Sequence, residues 1–236
     1  DNWLFKGLNL GLNAGQRMAL VGVNGAGKST LMKILSGKIQ PQEGKVVGNK
    51  ELRVGYLDQE PLFDAAQSIA EFIFSMDNVQ QQLIRRYEEL IEDPNADETE
   101  IGKLTDELSN ANAWEYEHTI RQILGTLGIH HYEQKIGTLS GGQKKRLALA
   151  KLLIDDPDVY ILDEPTNHLD IDTIEWLEEF LRIGNKTILL VTHDRYFLDN
   201  VCNEVAELEN GKVYTYKGNY SYYLEKKAER EAMDAS

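Results

Sequence analysis

Residues 22–29 limit the possible folds of this chain more than any other stretch. They read Gly22, Val23, Asn24, Gly25, Ala26, Gly27, Lys28, Ser29 and fit the P-loop pattern G-x-x-x-x-G-K-[ST]. Residues 17–21 form a short apolar run that reads as a buried strand, and residues 30–35 read as a helix. A strand that ends in glycines and restarts as a helix aims backbone N–H groups into one concavity. That concavity lies at the positive end of the helix dipole and suits phosphate. Gly25 and Gly27 let the backbone close around the phosphates, and Lys28 is placed for the β and γ oxygens. The Ser29 hydroxyl is placed for Mg2+, and Thr30 completes the segment. A plain glycine-rich turn would explain the glycines but not the full pattern between these flanks. The predicted ligand is a nucleoside triphosphate.

The length, 236 residues, suits one large domain or a domain with an insertion, and an apolar fraction of 42% supplies a core. No run approaches the ~18 apolar residues of a membrane span. The chain opens on Asp1, Asn2 and Trp3 without an initiator Met, and reads as a piece of a longer polypeptide. Cys202 is the only cysteine, which excludes an internal disulfide and suits a reducing cytoplasm. With 25 basic and 39 acidic residues, the net charge of −14 should repel free nucleic acid and anionic lipid.

Residues 8–12 and 17–21 read as two strands joined by a turn at residues 13–15, and the P-loop helix should end near Ser36 with Gly37 as its left-handed cap. Residues 45–47 and 52–57 read as short strands, the second running into Asp58, Gln59, Glu60 and Pro61. Taken alone, Gln59 is compatible with a simple loop residue. Between about Ser68 and Gly128 the composition changes. Ile69, Ile73, Met76, Leu83, Tyr87 and Leu90 form a coiled-coil type seam, broken at residues 93–97 with Asp97 as an N-cap. Ile101, Leu104, Leu108 and Ala111 make a second stripe, and the two predict a helical hairpin. Residues 71–121 carry thirteen acidic and four basic residues.

At Ser140, Gly141, Gly142 and Gln143 a turn leads into a helix over residues 144–154, a second arrangement suited to phosphate. On its own, Ser-Gly-Gly is more often just a loop. Residues 159–162 read as a buried strand delivering Asp163 and Glu164 at its C-terminal edge, where α/β sheets bind ligands. A helix cap with a solvated neighbour would explain the pair equally well without the P-loop. With it, Asp163 is the expected second Mg2+ contact. Residues 186–192 read as another strand ending at His193, a position where histidine is often structural. Residues 204–209 and 212–216 flank Asn210 and Gly211 as a hairpin. From Tyr220 a terminal helix begins and is wholly polar by residues 225–231.

Taken together and in order, these segments resemble an ABC ATPase cassette. Residues 22–29, Gln59, 139–143, 159–164, 167–170 and 193 look like its Walker A, Q-loop, signature, Walker B, D-loop and H-loop. Within that family the chain resembles the first cassette of an ABC-F protein of the Uup type. The resemblance rests on residues 56–61, 164–170, 192–197 and 217–220, and on the acidic hairpin in the position of the arm. It implies an α/β P-loop NTPase core with a mixed sheet, made of residues 1–65 and 138–236, and an inserted helical subdomain with arm over residues 66–137.

The resemblance also implies ATP and Mg2+ as ligands, with Ser29, Gln59 and Asp163 at the metal and Glu164, His193 and Lys28 as catalytic residues. In the family two cassettes sandwich ATP head to tail. Ser140, Gly141, Gly142 and Gln143 would therefore close on the ATP of a second cassette, in the same polypeptide or a homodimer, with Asp170 crossing the interface. The adenine-stacking aromatic is left open between Trp3 and Phe5. The implied partner is the ribosome, through rRNA or tRNA, in the cytoplasm. A Uup-like ATPase on DNA structures and a transporter's ATP-binding subunit are the alternatives. The 81 positions from Gln59 to Ser140 favour the ribosome or DNA reading, because a long hairpin would crowd a transporter's docking face.

Overall fold

The computed structural model describes residues 10–23, 27–38, 40–41, 44–48, 51–75 and 78–236. In chain order the elements are β1 (Arg17–Val21), α1 (Lys28–Leu35), β2 (Val54–Leu57), α2 (Ile69–Ile73), α3 (Val79–Glu92), α4 (Glu98–Asn110) and α5 (Ala113–Thr126). There follow α6 (Gly141–Asp155), β3 (Val159–Asp163), α7 (Ile171–Arg182), β4 (Thr187–Val191), α8 (Arg195–Val201), β5 (Glu204–Glu209), β6 (Lys212–Tyr216) and α9 (Tyr220–Asp234). Two compact units emerge, residues 1–61 with 156–236, and residues 62–155. The second unit takes in α6, whereas the sequence places that helix with the ATPase core.

The first unit is built on one six-stranded mixed sheet of order β2-β3-β4-β1-β5-β6. The first five strands run parallel and β6 pairs antiparallel with β5. β4 is buried along its whole length, as expected of a central parallel strand covered on both faces. Met18, Leu20, Leu31, Met32, Ile161 and Leu189 form the heart of its core, which packs the P-loop helix directly against the sheet. α1 ends as the sequence predicts. Gly37, at φ 85°, donates to the Ile34 carbonyl at 3.1 Å, while Lys38 donates to that of Lys33 at 2.9 Å, a Schellman closure.

Two predicted strands are corrected. Residues 10–12 pack against the core without joining the sheet. The hairpin they were to form with β1 has no room, because β4 and β5 occupy both edges of β1; residues 8–9 lie outside the described residues. Residues 45–47 form no strand either, and Val46 and Val47 are exposed.

The second unit is helical. Its first predicted seam divides, with Ile69 and Ile73 on short α2 and Leu83, Tyr87 and Leu90 on α3; Met76 lies outside the described residues. Ser68 caps α2 by accepting from the Glu71 amide, and Asn78 caps α3 by accepting from Gln81. Asp97 caps α4 as predicted. Asn112, at φ 54°, then turns the chain into α5, a helix the sequence reading had not separated. The hairpin is thus a three-helix packing of α3, α4 and α5 around Leu83, Ile84, Leu104, Leu108 and Ala113. Among the described residues no helix is long and apolar enough to cross a membrane.

Candidate active site

In the first unit β2, β3, β4 and β1 end side by side and in parallel. Their C-terminal edge therefore collects the segments the sequence had singled out: Asp58 and Gln59 after β2, Asp163 and Glu164 at β3, His193 after β4, and Gly22 after β1. Ligands bind at such edges, outside the carboxyl ends of parallel strands.

Gly27 starts α1 from the left-handed region, at φ 94°, and offers no side-chain cap. The first N–H groups of a helix have no carbonyl partner within it, so an anion is their natural complement. The Lys28 ammonium donates to the Gly22 carbonyl at 2.7 Å, folding back over the strand exit. Ser29 Oγ donates to Asp163 Oδ2 at 3.3 Å, which places a hydroxyl from the P-loop helix beside a carboxylate that is 3% exposed. Asn24, Gly25 and Ala26 lie outside the described residues, as do Trp3 and Phe5.

Glu164 adopts φ 51°, a left-handed conformation uncommon for a side chain of its size, and it is buried. Its amide donates to the Val191 carbonyl at 2.7 Å, which holds the β3 exit against β4. The side chain then meets the β4 exit. Thr192 Oγ1 donates to Oε2 at 3.0 Å, the His193 amide lies 3.4 Å from the same oxygen, and His193 Nδ1 hydrogen-bonds Oε1. The His193 side chain is nonetheless 77% exposed. One nitrogen of the imidazole is anchored while the ring itself stands in solvent.

Beyond β2, Lys38 joins Asp58 at 3.1 Å, linking the end of α1 to the segment that carries Gln59. Burial raises the Asp58 pKa, but the Glu60 amide and Lys38 outweigh it and hold the carboxyl below its usual range. The Tyr56 hydroxyl is the one buried side-chain polar atom without a hydrogen-bond partner among the described residues. Burial, with the charges of Asp58 and Asp163, pushes its pKa up.

Ser140, Gly141, Gly142 and Gln143 belong to the second unit, at the start of α6. Ser140 N donates to Gln143 Oε1 at 2.8 Å and Gln143 N donates to Ser140 Oγ at 3.1 Å, a reciprocal capping box. Asp170 caps α7, accepting from the Thr173 amide at 2.8 Å.

Residues 5–167 match the family described as ABC transporter, and residues 206–236 match a second family with the same description. The chain belongs to the ABC transporter family. It is an ATPase cassette of that family. This ABC cassette is 42% identical, over 99% of its length, to the uncharacterized ABC transporter ATP-binding protein YfmR of Bacillus subtilis, covering 38% of that protein. It is 40% identical, again over 99% of its length, to the energy-dependent translational throttle protein EttA of Mycobacterium tuberculosis, covering 43% of it. The cassette thus spans about two fifths of the length of these curated relatives. A solved structure described as the ATP binding subunit of an ABC transporter shares the fold, with a TM-score of 0.68 at 21% identity over 91% of this chain and 83% of that one.

The sequence reading missed Thr192. Its hydroxyl donates to Glu164, twenty-eight positions earlier, and no local pattern marks that link.

Proposed function

We propose that this ABC ATPase cassette is one half of a head-to-tail pair whose ATP cycle acts on the ribosome in translation. The observation that carries the proposal is the 40% identity to a protein named for translational throttling, along 99% of this chain. The transporter reading has less support, because the 42% identical relative with a transporter name is uncharacterized and the solved transporter subunit shares the fold alone, at 21% identity.

The residues of the edge divide the work by chemistry. Phosphoryl transfer needs positioning and charge neutralisation more than covalent participation. Lys28 exchanges the Gly22 carbonyl for the β and γ oxygens, and the first amides of α1 join it, with Gly22, Val23, Asn24, Gly25, Ala26 and Gly27 forming the cradle. Ser29 and Asp163 are hard oxygen donors 3.3 Å apart. They fit Mg2+, which takes few protein ligands beside substrate phosphates, and Gln59 completes the donor set. Bound there, the ion neutralises charge on the phosphate oxygens. Glu164 orients the attacking water and accepts its proton. His193 reaches the γ-phosphate while its Nδ1 side remains the Glu164 side.

Ser140, Gly141, Gly142 and Gln143 close on the ATP of the paired cassette. The Ser140 hydroxyl accepts from Gln143, so its own hydrogen remains to donate to a phosphate oxygen. Asp170 holds the start of α7 at the pair's interface. ATP favours the closed pair and hydrolysis the open one, a population shift set by differential affinity.

The test is cosedimentation with purified ribosomes. A polypeptide carrying this cassette with Glu164→Gln, joined to a second cassette, should pellet with ribosomes when ATP is present and stay in the supernatant without nucleotide. An equal supernatant fraction in both conditions would overturn the ribosomal reading. Duplex and branched DNA run in parallel would identify a DNA target instead.

A further inference from the structure

His193 and Thr192 hold opposite oxygens of the Glu164 carboxylate, and the two contacts differ in exposure. The His193 ring is 77% exposed and, once ATP is present, has the γ-phosphate to meet. Thr192 is part-buried, and its oxygen is tied down from behind by the Asp194 amide at 3.1 Å. That amide takes an acceptor site of the hydroxyl, which leaves the hydroxyl hydrogen to point at Glu164 Oε2, 3.0 Å away. Asp194 is itself fixed as the cap of α8, accepting from the Phe197 amide at 3.1 Å, and the Phe197 side chain is fully buried. A line of hydrogen bonds therefore runs from the buried Phe197 segment through Asp194 and Thr192 to Glu164. At its end stands a carboxylate whose backbone is left-handed.

We propose that Thr192 is the positioning residue for Glu164. It holds Oε2 throughout the cycle, and so keeps the carboxylate aimed while the exposed His193 ring takes up the γ-phosphate. This rests on the reading of Glu164 as the group that activates water. A misplacement of such a group by a fraction of an ångström is expensive in rate, because the reacting atoms must meet in a near-attack geometry.

The experiment is single-turnover hydrolysis of radiolabelled ATP by a polypeptide joining this cassette to a second one, with the affinity for a non-hydrolysable ATP analogue measured alongside. Thr192→Val keeps the shape and removes the hydroxyl; Thr192→Ser keeps the hydroxyl. The Val variant should lose about tenfold or more in rate, in line with the loss of one charge-assisted hydrogen bond. Its analogue affinity should stay within about twofold of wild type, since binding does not use Glu164. The Ser variant should retain most of the rate. A crystal structure of the Val variant should show the Glu164 carboxylate turned from its wild-type position.

A Val variant at the wild-type rate would overturn the proposal, and so would a Ser variant as slow as Val, which would assign the effect to the methyl group. If Val fails to fold, Thr192→Ala takes its place, with the same two outcomes read against Ser. Glu164→Gln in the same assay separates the levels. A fast Glu164→Gln refutes the water-activating role itself, whereas a slow Glu164→Gln beside a fast Thr192→Val refutes only the positioning role.

Discussion

Glu207 and Arg230 meet at 2.9 Å across twenty-three positions of chain, tying the strand β5 to the terminal helix α9. Glu207 is 2% exposed and receives more than this one partner. Lys227 reaches it at 2.8 Å, the Tyr223 hydroxyl hydrogen-bonds it, and Arg230 also bridges to Glu209 at 2.9 Å. The guanidinium stacks 4.2 Å over the Tyr214 ring. A helix whose sequence is polar on nearly every side is thus held by one buried carboxylate, with Tyr223 as its buried anchor.

The first prediction concerns pH. Burial raises the Glu207 pKa, but hydrogen bonds from Lys227, Tyr223 and Arg230 outweigh it and lower the folded value below that of the unfolded chain, near ~4.3 for glutamate. A lowered carboxylate stabilises the fold fully above the unfolded value, and that stabilisation is lost as pH falls through the folded one. Glu207→Gln should therefore cost about 1–3 kcal/mol at pH 7. The gap to wild type should narrow in acid, below about pH 4.3. Urea unfolding at a series of pH values measures both curves. A gap that is constant with pH would remove Glu207 from the ion-linked stability.

What the sequence showed of this molecule was whatever its local patterns determine. Asn210 and Gly211, at φ 52° and 74°, form the turn that their residue types demand, and the flanking hairpin follows. Asp97, at the end of the break, caps α4 for the same kind of reason. The order of Asp163, Glu164 and His193 along buried strands was enough to place them on one edge. What failed depends on distant neighbours. Residues 10–12 look like a hairpin partner for β1 until β4 and β5 are known to fill both its edges. Ile69 and Ile73 have the spacing of the following seam, yet Asn78 opens a new helix after them. Nothing local marks the left-handed backbone of Glu164 or the contact from Thr192.

In the helical unit, Leu108 is completely buried among Leu83, Ile84, Leu104 and Ala113. Leu108→Ala should destabilise that unit by about 2–5 kcal/mol, the range for emptying a well-packed site. Hydrogen exchange of α3, α4 and α5 amides should quicken, while β1 and β4 amides keep their protection. Equal acceleration in β1 and β4 would make residues 62–155 and the sheet a single cooperative unit.

Lys28 donates to the Gly22 carbonyl at 2.7 Å, and in the proposed cycle the same ammonium neutralises phosphate. Lys28→Ala should lower Mg-ATP affinity by at least about tenfold, because a charge-assisted hydrogen bond contributes ~1.5–3 kcal/mol. Titration with a fluorescent ATP analogue reads the change. Affinity equal to wild type would remove Lys28 from the nucleotide site.

The last prediction concerns the second half of the site. The residues that bind phosphate in the first unit and the capping box at Ser140 and Gln143 serve different nucleotides in the proposed pair, so the chain alone holds half of each composite site. It should bind ATP as a monomer, hydrolyse it slowly and pair weakly with itself. Tethering two cassettes raises the effective concentration of one for the other to about the millimolar range, an advantage that free chains lack. Two bodies of charge −14 also repel, although salt screens that repulsion beyond about 8 Å at physiological strength. Glu164→Gln removes the proton acceptor and one negative charge, keeps the shape of the side chain, and should accumulate the ATP-bound pair. Analytical ultracentrifugation of both proteins with Mg-ATP, at low and moderate salt, distinguishes the cases. The Glu164→Gln dimer should appear only with nucleotide and should strengthen as salt rises from low to moderate. A wild-type chain that is tightly dimeric without nucleotide would contradict the divided site, because pairing would then owe nothing to ATP bridging the two halves.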